Sequence, residues 1–118
     1  MTRASMAKKR YIAINLRSDG SFSEEELKRA LYKESLKFFG EYLSSFVALK
    51  LISFDVSKRI AVIRCNKDFV YETLGFLALI NSLDGKRTRT VAFETSGTIK
   101  GLERKSGIKV PKFEKRVL

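Results

Sequence analysis

The chain has 118 residues, 44% of them apolar, and 24 Lys and Arg against 13 acidic residues give it a net charge of +11. That is one domain's length, enough for a core without disulfides, and the charge makes a polyanion the first partner to expect, with nucleic acid ahead of an anionic membrane surface. The absence of His and the single Cys exclude His-based triads, His metal sites, a disulfide framework and a cysteine zinc site.

Residues 1–8 contain Arg3 and Lys8 but no apolar periodicity, and read as a basic arm. Ile12, Ile14 and Leu16 then alternate with Tyr11, Ala13 and Asn15, which predicts a first strand. That stretch is too short and too alternating for a signal-peptide core. After the turn cluster Ser18–Ser21, the order Phe22, Ser23, Glu26, Leu27 predicts a capped and stapled helix start. Leu27, Ala30, Leu31, Phe38 and Phe39 recur at helical spacing, with Lys28, Arg29, Lys33 and Lys37 outward. Gly40 can end this helix as a left-handed cap, or the helix can run on through Tyr42, Leu43 and Phe46.

Two apolar runs, 47–55 and 59–65, flank Val56, Ser57 and Lys58 and predict an antiparallel hairpin. Asn66 or Asp68 opens a second helix expected to reach Leu83, with Phe69, Val70, Leu74, Leu77, Ala78 and Ile80 on its buried face. Asp84 and Gly85 end it. A last strand follows, in which Val91 and Phe93 alternate with Thr90, Ala92 and Glu94. One or two helical turns are expected near 102–106. The order strand, helix, strand, strand, helix, strand predicts an α+β, ferredoxin-like split βαβ sandwich: a four-stranded antiparallel sheet with helices on one face, plus a short C-terminal helix or basic tail. Residues 9–105 form the domain and 106–118 the tail. Both faces of the predicted hairpin are apolar, so the C-terminal segment or a protein partner should cover the second face.

The last strand runs into Ser96, Gly97 and Thr98, with Lys86, Arg87 and Arg89 before it and Lys100, Arg104 and Lys105 after it. A strand ending in a small polar turn among cations suits a phosphate-rich partner. The plain alternative is a strand end that needs Gly to turn, on an edge protected by charge. The residues expected to contact RNA are Lys8, Lys9 and Arg10 on the arm, Arg64 and Lys67 at the third strand's end, Lys86, Arg87 and Arg89, and Ser96, Gly97, Thr98 and Lys100.

Enzymatic chemistry finds little support. Glu24, Glu25 and Glu26 are explained by capping and the helix dipole, and no phosphate-binding Gly-rich motif is present. Cys65 reads as a core residue and points to a reducing, cytoplasmic setting. The apolar run near Leu74–Leu83 is far short of the roughly 20 residues of a membrane span. RIAVIRC on the third strand lacks aromatics, so base stacking in the manner of an RNA recognition motif is not expected there; contact is left to arms, loops and strand ends.

RYIAINL at 10–16, Phe39–Gly40, IRC at 63–65 and SGTIK at 96–100 lie in an order and spacing that resembles archaeal ribonuclease P protein component 2, of the Pop-five/Rpp-fourteen family, over residues 9–105. Tyr42–Ser45 stands where the family has a second glycine. The resemblance implies a non-catalytic protein subunit of a ribonucleoprotein endonuclease that removes the 5′ leader of precursor tRNA. It implies that ribonuclease P RNA carries the active site and its Mg²⁺. It also implies a TIM-barrel-like protein partner of the thirty-kilodalton type, two copies of each, and contact of Ser96–Lys100 with the RNA. The alternatives are a ribosomal or other small RNA-assembly protein, and an acylphosphatase-like enzyme. The latter needs a Gly-rich loop that neither Asn15 nor Asn66 has beside it.

Overall fold

A computed structural model of the chain describes residues 8–110; residues 1–7 of the expected arm and 111–118 of the expected tail lie outside the described residues. The elements are β1 (Lys9–Ser18), α1 (Glu24–Val47), β2 (Lys50–Asp55), β3 (Ile60–Asn66), α2 (Val70–Leu79, after a 3₁₀ turn at Lys67–Phe69), β4 (Ser82–Leu83), β5 (Lys86–Ser96) and α3 (Ile99–Ser106). All strand pairings are antiparallel and the sheet order is β2-β3-β1-β5-β4. The expected β-α-β-β-α-β order is present, but the sheet has five strands and not four. The fifth comes from the end of the expected second helix. That helix stops at Leu79, Ile80 is extended, and Ser82–Leu83 pairs with Arg87 and Lys86. Asp84 (φ 53°) and Gly85 (φ 78°) form the two-residue turn between them, so they close a hairpin and do not end a helix.

Local chemistry accounts for the helix boundaries. Ser23 caps α1: its hydroxyl accepts from Glu26 N–H at 3.2 Å while the Glu26 carboxylate accepts from Ser23 N–H at 2.9 Å. Gly40 does not end the helix. It sits at φ 79°, ψ 164°, a region open essentially to glycine alone, and α1 resumes beyond it to a left-handed cap at Ala48. The kink turns the second half of α1, so Val47 reaches the core while Phe46 and Tyr42 stay exposed. Phe38 also departs from expectation. Its ring is 48% exposed and packs edge-on against Phe39 at 4.9 Å and against Phe76 at 5.5 Å.

The sheet has two cores. On one face, Ile12, Ile14 and Leu16 of β1 and Ala61, Ile63 and Cys65 of β3 pack under Leu27 and Leu31 of α1 and Phe76 and Leu77 of α2. Thr88 and Thr90 of β5 are buried on this side, and the Thr90 hydroxyl donates to the Leu77 carbonyl at 2.7 Å. The inward face of β5 is therefore Thr88, Thr90 and Ala92; Val91 and Phe93 point to the other side, 47% and 42% exposed. On the second face, Ala13, Ile52 and Val62 are covered by Ile99 and Leu102 of α3 and by Ile108 and Val110. Helices thus lie on both faces, because the hairpin is apolar on both and the C-terminal segment supplies the second cover. Packing continues to Val110, past the expected domain end at 105.

The Ser96–Gly101 stretch starts α3. Thr98 is its N-cap and accepts from Gly101 N–H at 2.9 Å, while the Ser96 hydroxyl accepts from Thr98 N–H at 3.3 Å. These hydroxyls are engaged in folding the chain onto its own sheet. Gly97 is not among the glycines with positive φ. The glycine under steric constraint is Gly101, where an added Cβ would lie 2.5 Å from Ser96 Oγ and 2.8 Å from Thr98 Oγ1. Gly101→Ala should therefore destabilise the chain by about 1–3 kcal/mol through overpacking of the cap. Gly97→Ala meets only the tip of Arg10 at 3.2 Å and should stay within about 0.5 kcal/mol of wild type. Urea unfolding of the two variants checks this; a neutral Gly101→Ala would contradict the cap geometry.

Candidate nucleic-acid interface

Antiparallel pairing decides which expected contact residues come together. Lys9 lies opposite Asn66, Arg10 opposite Cys65, and Tyr11 between Arg64 and Ser96, while Lys50 lies opposite Arg64. The start of β1, the ends of β3 and β5 and the start of β2 therefore meet at one end of the sheet. Lys8, Lys9, Arg10, Arg64, Lys67, Ser96, Gly97 and Thr98 gather there, with Lys100 exposed in the first turn of α3 beside them. Lys86, Arg87 and Arg89 do not. They begin β5 beside Ser18 and Arg17, at the opposite end, roughly 23–33 Å from Ser96 at the rise of an extended strand. One expected surface becomes two cationic poles.

At the first pole, Lys9 Nζ donates to Asn66 Oδ1 at 2.6 Å, and Asn66 Nδ2 donates to the Phe46 carbonyl at 2.6 Å, tying the strand ends to the end of α1. Arg10 Nη1 donates to the Lys9 carbonyl at 3.0 Å, and its guanidinium lies against Gly97. The glycine leaves room for that side chain. Lys67 donates its backbone N–H to the Lys8 carbonyl at 2.8 Å, leaving its ammonium exposed. Arg64 carries a buried Nε without a hydrogen-bond partner among the described residues. Desolvation first, and then repulsion from Arg64, lowers the Lys9 pKa below its ordinary 10.5. Two cations brought together at the strand ends suit an anionic ligand.

The second pole is partly structural. Lys86 Nζ donates to the Ser21 carbonyl at 2.6 Å and sits 4.3 Å from the centre of the Phe22 ring, so it fastens β5 to the loop before α1. Arg87 and Arg89 are exposed, and Arg17 lies directly across from Arg89. The sequence reading missed Arg17. Its only signal was the alternation Tyr11, Ala13, Asn15, Arg17, which sets it on the second sheet face. Asn15 and Asn66 lie on different parts of the sheet with no phosphate-cradling loop between them.

Burial raises the Cys65 thiol pKa, and the residue lies in the first core. Among the described residues, no group of three or more His, Cys, Asp or Glu is placed to hold a metal ion. No helix among them is long and apolar enough to cross a membrane.

Fold and charge together define a small basic α+β protein, built on an antiparallel sheet, that presents cationic strand ends. Within that class the chain belongs to the Rpp14/Pop5 family, whose model matches residues 10–106. It is 38% identical over 98 residues to ribonuclease P protein component 2 of Pyrococcus horikoshii, covering 83% of this chain and 82% of that one. To the protein of the same name from Archaeoglobus fulgidus it is 31% identical over 99 residues, covering 84% and 88%. Its fold is similar to that of a chain in the cryo-EM structure of yeast ribonuclease MRP, with a TM-score of 0.63 at 14% identity over 78% of this chain and 76% of that one.

Replacing Arg64 with Gln should raise the Lys9 pKa toward its ordinary value, because one of the two depressing causes is removed. In the wild type, Lys9 lowers folding stability wherever it is charged in both states. That cost is relieved only as pH rises through the depressed folded value toward 10.5. Lysine side-chain NMR titration reads the shift. An unchanged Lys9 in Arg64→Gln would show that the two cations do not interact.

Proposed function

We propose that this chain is the component 2 protein subunit of a ribonuclease P, assisting a catalytic RNA in removing the 5′ leader of precursor tRNA. The observation that carries the reading is the family match over residues 10–106, which takes in most of both cationic poles and both cores. The chain binds ribonuclease P RNA through phosphates at its two poles, and the RNA holds the Mg²⁺ and the reacting bond. Lys8, Lys9, Arg10, Arg64, Lys67 and Lys100 act at one pole and Arg87 and Arg89 at the other. Lys86 contributes charge while holding its own loop. Ser96, Gly97 and Thr98 act indirectly, by setting α3 and giving Arg10 room. The complex works in the cytoplasm.

The protein partner is a TIM-barrel-like subunit of the thirty-kilodalton type, with two copies of each chain. The exposed aromatic side chains of the helical layer support a protein interface there. Tyr32, Tyr42 and Tyr71 are 59%, 80% and 82% exposed, and Phe38, Phe46 and Leu79 also reach solvent. Tyrosine and phenylalanine of this kind suit a protein contact. The second sheet face needs the partner less, since α3 covers its Ala13, Ile52 and Val62.

Precursor-tRNA cleavage by reconstituted ribonuclease P RNA and the TIM-barrel subunit should be faster with this chain than without it. Lys100→Gln and Arg87→Gln should each weaken RNA binding and lower the salt slope by at most about one unit per lost phosphate contact. RNA binding without any rate increase would select the RNA-assembly alternative.

A further inference from the structure

Part of the second sheet face is left open beside α3. Along β5 it shows Arg87, Arg89, Val91 and Phe93 in alternation, and Arg17 of β1 stands across from Arg89. The bulge between Ala13 and Ile14 leaves Phe93 without a strand partner on β1, and its ring is 42% exposed. Like charges directly opposite on neighbouring strands are unfavourable. Arg17, Arg87 and Arg89 nevertheless have no ion pair or side-chain hydrogen bond among the described residues. The arginines and Val91 also border an open groove of about 1130 Å³ at the β5 edge, which lies between the strand and α2 on the first-face side, includes Asp19 and does not reach Phe93.

Resting on the ribonucleoprotein reading, we infer that this strip is a binding platform for single-stranded RNA, with phosphates on Arg17, Arg87 and Arg89 and an unpaired base stacked on Phe93. Charge complementarity selects the occupant: three unneutralised guanidiniums in a row repel one another until a polyanion lies across them. Alternate residues on one face of a strand are roughly 7 Å apart, which lets successive arginines meet successive phosphates of an extended strand. An exposed aromatic at the end of such a row supplies the second half of single-strand recognition, a π-face that accepts any base. A duplex buries its base faces and has no use for Phe93.

The test uses the full chain with a fluorescein-labelled oligoadenylate, the same length of RNA duplex, and an oligoadenylate carrying 2-aminopurine. The single strand should bind more tightly than the duplex, and 2-aminopurine emission should be quenched on binding. Phe93→Leu keeps an apolar side chain and removes the stack. It should abolish the quenching and weaken single-strand binding between about fivefold and a hundredfold. Arg17→Gln and Arg89→Gln should each lower the salt slope by about 0.7. Wild-type affinity and quenching in Phe93→Leu, or preference for the duplex, would overturn the platform. So would protection of the strip by the protein partner in the absence of RNA, which would assign it to protein. Precursor-tRNA cleavage with the wild-type chain tests the underlying reading separately. Stimulated cleavage with unaltered Phe93→Leu binding removes the platform alone, while absent stimulation removes the subunit reading.

Discussion

The fold depends on β1 being paired on both edges and buried on both faces. Its residues Ile12, Ala13 and Ile14 have no accessible surface, Ala13 belonging to the second core and the two isoleucines to the first. A strand in that position needs cover above and below, because fully burying an Ile or Leu side chain contributes about 1.5–3 kcal/mol that exposure would forfeit. The helical layer of α1 and α2 covers one side. On the other, α3 lies across Ala13, Ile52 and Val62, and its start is held by the Ser96 and Thr98 hydroxyls. The polar turn after β5 is thus part of the packing that makes a two-sided sheet possible.

Antiparallel pairing around this strand also distributes the charge. Strand interiors are occupied by aliphatic residues and buried threonines, so cations are confined to strand ends and to the uncovered part of the second face. The start of β1, the end of β3 and the end of β5 converge, and their cations converge with them. The start of β5 lies at the other end, which divides one linear run of basic sequence between two surfaces. Repulsion within each group is tolerable in a free chain and favours a bound polyanion.

The helical layer has the opposite character. The Gly40 kink exposes Tyr42 and Phe46, whose rings meet at 5.1 Å, and Phe38 joins Phe39 and Phe76 in an aromatic group at the surface. The two characters meet at the end of α1, where Asn66 joins Lys9 to the Phe46 carbonyl.

Much of this was legible along the chain. The alternation Ile12, Ile14, Leu16, the Ser23–Glu26 capping box and the two-sided apolar hairpin are local patterns, governed by strand pleat, helix-end hydrogen bonding and turn chemistry, and they appear in the structure where their residues predict them. The SGTIK resemblance agrees with the family to which the chain belongs. Three features were not legible. Ser82–Leu83 is too short to carry a period, and its strand exists only because β5 offers an edge. The inward face of β5 is set by its register against β1, which buries Thr88 and Thr90 and turns Val91 and Phe93 outward against hydropathy. Which cations share a surface follows from strand order and direction, which no linear spacing encodes. The sequence by itself determined the local elements, the basic charge and the need for cover on both sheet faces; the tertiary structure decided which segment supplies that cover and which charges stand together, because those depend on pairings between residues far apart in the chain.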